Sequence, residues 1–183
     1  MLIGITGTLA SGKDSASDFL QKKGFFHFSL SDAIREECDT RGLPKDRDTL
    51  VNIGNELRQT FGSDILAKRA LEAIQRKSAT NAVITSIRNP KEAELLKKAG
   101  NFILISIEAP IEMRYKRILS RQRESDFVDF ETFKKQEETE MTGVEFQQNL
   151  KAVFDLADYK ITNDGTPQDF FDNIDRVIKK PTL

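Results

Sequence analysis

The chain has 183 residues, 38% hydrophobic and 31% charged, with a formal net charge of −1 and a single cysteine. That length suits one domain with a substantial core, and the near-neutral charge excludes a global attraction to nucleic acid or anionic membrane, so an anionic ligand needs a local basic cluster. Cys38 alone excludes an internal disulfide and a cysteine-built metal site; it reads as an inert thiol in a reducing compartment, and without an apolar run of membrane-spanning length the expectation is a soluble, cytoplasmic protein.

The first predicted strand, residues 2–6, runs into Gly7-Thr8-Leu9-Ala10-Ser11-Gly12-Lys13 and then a helical pattern. Strand, glycine-rich loop and helix in that order are the setting of a Walker A phosphate loop. Glycines let backbone N–H groups turn toward phosphate oxygens, the helix start adds a favourable dipole, and a lysine at position 13 reaches the β- and γ-phosphates of a triphosphate. The position that normally supplies a Mg²⁺-binding hydroxyl is Asp14, and Ser15 follows. A plain glycine-rich turn is the competing reading, and the conjunction of spacing, lysine and preceding strand weighs against it.

A second strand at 25–28 places His27 between Phe26 and Phe28, where it reads as structural. Beyond it Asp32 reads as a helix N-cap, with Arg35 one turn into the helix. Residues 31–78 carry three helical segments, more than a simple crossover needs, and read as an insertion over a ligand. Arg58, in Asn55-Glu-Leu-Arg58, is by pattern a solvated or glutamate-paired helical arginine. The third strand, 82–86, contains Thr85 and leads to Arg88; Asn89-Pro90 then caps a helix over 91–99 that Gly100 stops.

A fourth strand at 102–107 precedes Pro110 and a helix over 111–121, on which Arg114, Arg117 and Arg121 share a face. That face reads either as a polyphosphate contact or as a basic solvated surface; nucleic acid is disfavoured by the neighbouring Glu124, Asp126 and Asp129. Residues 121–156 form a second long excursion, with the charged stretch 131–140 read as a solvated helix face, before a fifth strand at 159–162 and the loop Asn163-Asp164-Gly165-Thr166. Strands alternating with helices predict an α/β fold, a five-stranded parallel sheet covered on both faces, with ligand loops at the carboxyl ends of the strands.

With these residues placed, the chain resembles the P-loop nucleoside monophosphate kinase superfamily, including adenylate kinases, deoxynucleoside monophosphate kinases and dephospho-coenzyme A kinases. The similarity rests on the phosphate loop, on Phe28-Ser-Leu-Ser-Asp-Ala-Ile-Arg-Glu-Glu37 after strand two, on Val83-Ile-Thr-Ser-Ile-Arg-Asn-Pro90 and on Ala157-Asp-Tyr-Lys-Ile-Thr-Asn-Asp-Gly165. Overall the pattern is most similar to a poorly characterised, mainly archaeal kinase-like family. The resemblance implies a three-layer P-loop kinase fold in one domain over 1–183, with an acceptor-binding insertion at about 31–78 and a lid at about 121–156.

It further implies ATP and Mg²⁺ as cofactors and a small-molecule nucleotide acceptor. Lys13, Arg88, Arg117 and Arg121 would act on the transferring group, with Arg117, Arg121 and Arg123 in the lid; Asp32, Arg35, Arg58 and Arg88 would bind the acceptor; Asn163, Asp164, Gly165 and Thr166 would form the adenine-side loop. At the metal the chain departs from the resemblance, with Asp14 where relatives have a hydroxyl and Thr85 on the strand where they commonly have Asp: either Asp14 anchors Mg²⁺ with Thr85 in support, or Asp14 stabilises the helix start and Ser15 or water serves the metal. The expected reaction moves the γ-phosphoryl group of ATP to a (deoxy)nucleoside monophosphate. Two alternatives stay open: a small hydroxyl acceptor such as dephospho-coenzyme A, for which Asp32 would be a general base, and a nucleotide-driven switch or assembly factor that hydrolyses ATP without an acceptor.

Overall fold

The computed structural model describes residues 1–121 and 129–179. Its sheet consists of β1 (Leu2–Gly7), β2 (Phe26–Ser29), β3 (Ala82–Thr85), β4 (Phe102–Glu108) and β5 (Tyr159–Thr162), all parallel, in the order β2-β3-β1-β4-β5. The expected strands agree with the observed ones to within a residue or two at each end. The register sets Ile3 beside Val83 and Ile103, and Gly4 beside Ile84 and Leu104, so side chains alternate between two faces with a period of two.

Each face buries its own core. Ile3, Ile5, Val83, Ile103, Ile105, Ile107 and Ile161 pack under α1 (Lys13–Lys22) and α9 (Pro167–Ile178). Leu2, Ile84 and Leu104 pack under α2 (Leu30–Arg41), α3 (Arg47–Phe61), α4 (Ile65–Arg76), α5 (Pro90–Lys98) and α8 (Leu150–Asp155). Fully burying one such aliphatic side chain contributes about 1.5–3 kcal/mol, so either layer is a substantial source of stability. The result is the three-layer α/β arrangement of P-loop kinases.

The remaining helices, α6 (Ile111–Arg121) and α7 (Phe130–Met141), meet through aromatic contacts: Tyr115 of α6 lies edge-on to Phe130 with centroids 5.2 Å apart, and 5.8 Å from Phe133. The solvated face expected over 131–140 is present, with Glu131, Lys134, Lys135, Glu138 and Thr139 exposed, but it is only one side of the helix. Phe133 is fully buried, Glu140 is buried, and Glu137 pairs with Arg114. The charged letters of α7 hid a side turned toward the protein. Among the described residues no helix is long and apolar enough to cross a membrane.

Candidate active site

Because every strand runs the same way, the segments leaving their carboxyl ends converge on one rim. There they enclose a cavity of about 1130 Å³, lined at one end by the phosphate loop and at the other by residues of α2, α3 and the β3–α5 loop.

The loop between β1 and α1 is held from outside. Gly12 has φ +114, a left-handed conformation that favours glycine, and a Cβ there would collide with Nδ2 of Asn163. That same Nδ2 donates to the carbonyl of Ser11 at 2.8 Å. Lys13 is buried at the first turn of α1 and donates from Nζ to the carbonyl of Thr8 at 2.6 Å, lying back along the loop. The Oγ of Ser11 is buried without a hydrogen-bond partner, on the Gly7 side of the loop and not among the residues that line the cavity. Leu9, Ala10, Gly12 and Lys13 all line the cavity.

From α6, Arg117 lies over this loop. Its guanidinium donates to the carbonyls of Ala10 at 3.3 Å and Asn163 at 3.1 Å, and it pairs with no carboxylate among the described residues. Burial, with the neighbouring Arg114 charge, pushes its pKa down, so a bound anion would relieve a real electrostatic cost. Arg114, expected on the same polyphosphate-facing side, is instead buried in a bidentate pair with Glu137 and donates to the carbonyl of Ala109. Arg121 ends α6 with its side chain outside the described residues, and Arg123 lies outside them altogether.

Asp14 and Ser15 bring exposed oxygens to the cavity beside Lys13, a donor set suited to a hard cation such as Mg²⁺. Thr85 also lines the cavity, but its Oγ1 is in a 2.8 Å hydrogen bond with Nε2 of His27. His27 therefore faces the site rather than serving only as packing. Burial lowers its pKa, opposed by the charges of Asp32, Asp14 and Asp18. The signal was present in β2: Phe26 and Phe28 pack on the core, so the alternate positions His27 and Ser29 face the cavity.

At the other end, Asp32 and Arg35 line the cavity and pair at 3.2 Å. Asp32 lies in the first turn of α2; the N-cap is Ser29, so the N-cap assignment of Asp32 is corrected. Of the two readings of Arg58, solvated or glutamate-paired, the second holds: it is 1% exposed and pairs at 2.9 Å with Glu92, which is 0% exposed. Glu92 also accepts from the backbone N–H groups of Arg88 and Asn89 at 2.9 and 3.0 Å. Arg88 donates from Nη1 to Glu140 at 2.5 Å and to Gln148 at 2.8 Å, while Arg47 donates from Nε and Nη2 to the other Glu140 oxygen. Arg47, Glu140 and Gln148 all line the cavity and were not singled out in the sequence; nothing in the pattern tied α3 to α7.

The loop after β5 divides its labour. Asn163 is buried and braces the phosphate loop, Asp164 is exposed, and Gly165 lines the cavity. The Thr166 side chain is committed to a capping box with Asp169 at the start of α9. Pro167, Phe170 and Phe171 give this corner an apolar lining.

A family model described as AAA domain matches residues 3–142. A UPF0200/UPF0201 protein of Archaeoglobus fulgidus is 32% identical over 98% of this chain, which spans only 55% of that relative. A UPF0200 protein of Pyrococcus abyssi is also 32% identical, with 98% of this chain and 96% of the relative aligned. Among solved structures, the chain is similar to shikimate kinase from Acinetobacter baumannii in complex with shikimate (TM-score 0.57, 15% identity, 97% of this chain and 92% of that one). It is also similar to dephospho-CoA kinase from Campylobacter jejuni (TM-score 0.53, 20% identity, 97% and 95%). These structural similarities bear on the fold, and the sequence matches bear on kinship: the chain belongs to the AAA domain family and to the UPF0200 proteins.

Proposed function

We propose that the protein is an ATP-dependent phosphotransferase that moves the γ-phosphoryl group to a (deoxy)nucleoside monophosphate. The observation that supports this reading is that Lys13 and Arg117 at the phosphate loop and Arg35, Arg58 and Arg88 on the β2 and β3 side all line one cavity. Phosphoryl transfer asks little covalent chemistry of a protein; it asks for alignment, exclusion of water and fixed positive charge. Lys13 and Arg117 supply that charge to the donor, while Arg35 and Arg88 orient the acceptor phosphate. An oxygen of the acceptor phosphate bonds to the γ-phosphorus as the bond from that phosphorus to the β–γ bridging oxygen breaks, and ADP leaves with the electron pair.

Asp14 and Ser15 would hold Mg²⁺, which when bound spreads charge from the β- and γ-phosphates. A hydroxyl acceptor is the second reading, favoured by Asp32, whose exposed carboxylate lines the cavity and would take the hydroxyl proton. The test is an ADP-release screen with ATP·Mg²⁺ against each nucleoside monophosphate and against dephospho-coenzyme A. A nucleoside monophosphate that stimulates ADP release supports the first reading. Stimulation by the hydroxyl substrate alone supports the second, and slow release indifferent to every acceptor would sink both in favour of a nucleotide-driven switch.

A further inference from the structure

Two buried glutamates face arginines on the acceptor side, and they are not equivalent. Glu92 is saturated: it accepts from Arg58 and from two backbone N–H groups, and its own helix α5 uses it in a capping box. It is a strut. Glu140 is held differently, by the guanidiniums of Arg47 and Arg88. It sits in the last turn of α7, where the helix carbonyls disfavour negative charge and no basic residue of that turn compensates.

We propose that Glu140 is a built-in substitute for the acceptor's phosphate: Arg47 and Arg88 form the seat of a dianionic phosphate monoester, and Glu140 fills that seat until the group arrives. This rests on the acceptor reading of the cavity and adds to it a residue, Arg47, and a mechanism of entry. Two guanidiniums converging on one carboxylate at 2.5–2.6 Å form the kind of fork that also grips phosphate. All three residues line the cavity, so the carboxylate is reachable by an incoming ligand.

Charge supports a dianion. Arg47, Arg58 and Arg88 set against Glu92 and Glu140 leave one positive charge on this wall; with Glu140 withdrawn the wall carries two. Nearby, Nη1 of Arg58 is buried with no hydrogen-bond partner, a donor on the same wall that the protein itself does not use. Burial works to neutralise Glu140, yet Arg88 and Arg47 outweigh it and hold the carboxyl below its ordinary pKa, so the seat is occupied by a true anion. Exchange of that anion for a phosphate would free the end of α7.

The experiment uses the full chain with a non-hydrolysable ATP analogue bound, so that the phosphate loop is filled; that first titration reports separately on the nucleotide site. Inorganic phosphate is then titrated calorimetrically. Glu140→Gln should tighten phosphate binding at least tenfold, and adding Arg47→Ala should remove the gain. In the wild-type protein phosphate should speed amide hydrogen exchange at the end of α7, which decides the matter even where a variant folds poorly. Unchanged or weakened phosphate binding in Glu140→Gln, no binding in either protein, or slower exchange in α7 would each overturn the proposal and make Glu140 a second strut. Acceptor-dependent ADP release persisting in that case would leave the acceptor reading standing without the exchangeable seat.

Discussion

Asn163, immediately after β5, donates from Nδ2 to the carbonyl of Ser11 at 2.8 Å, so the loop that follows the last strand props the loop that follows the first. The bond is buried and spans 152 positions of sequence. Asn163→Ala should leave that carbonyl unsatisfied, lowering stability by about 1–3 kcal/mol and weakening ATP analogue binding. Chemical denaturation and calorimetry check the two effects; a variant that loses stability with nucleotide affinity intact would show the brace to be irrelevant to the site.

Lys13→Ala should preserve the fold and reduce turnover by about 10²–10³-fold, the usual cost of removing one charge-stabilising donor from a reacting group. A coupled ADP assay on purified protein, alongside circular dichroism, measures this. Undiminished turnover would sink the phosphate-loop assignment.

Asp14 takes the position where related loops place a hydroxyl, and the hydroxyl of Thr85 on β3 is already bonded to His27. Asp14→Asn should therefore raise the Mg²⁺ concentration needed for half-maximal rate, because a ligand charge is lost from an oxygen-rich site. An unchanged Mg²⁺ dependence would leave Asp14 with only its place in the first turn of α1.

The Arg58–Glu92 pair is almost wholly excluded from water, with exposures of 1% and 0%. Arg58→Met leaves Glu92 without a counter-charge in the core and should cost about 3–5 kcal/mol, read from urea unfolding. A loss below about 1 kcal/mol would mean that the two backbone N–H groups on Glu92 suffice to hold its charge.

Acid should act through Glu140. Its pKa in the folded protein lies below the ordinary 4.5, so its contribution to stability is present above that value and is lost as pH falls through the folded one. The stability gap between wild type and Glu140→Gln should therefore shrink on acidification below about pH 4.5, and denaturant midpoints between pH 7 and pH 3 test it. A gap that stays constant would show Glu140 protonating at the same pH folded and unfolded.

What could be read from the sequence was what local periodicity controls. The five apolar segments and the phosphate loop announce themselves within windows of a few residues, and Asn89-Pro90 marks α5 by its own capping chemistry. Glu140 and Arg47 could not be found that way: they lie 93 positions apart, and Glu140 is on a helix whose letters read as solvated surface. Burial of a charge depends on which partner the fold brings, and no short window contains that partner. His27 is the intermediate case. Strand alternation sets it apart from Phe26 and Phe28, yet its hydrogen bond to Thr85 needs the neighbouring strand to be known.

A sheet whose strands all point one way also gives the molecule a chemically silent pole. The turns that enter β2 and β4, at Gly24 and Gly100, have open space around them, and a Cβ at either would touch nothing within 4 Å. Their positive φ values, +89 and +79, make substitution of the glycines themselves unwise. Exposed neighbours such as Lys22 and Lys98 are better choices. A fluorophore or surface tether attached there would sit at the opposite end of the strands from the cavity, clear of the chemistry it is used to observe.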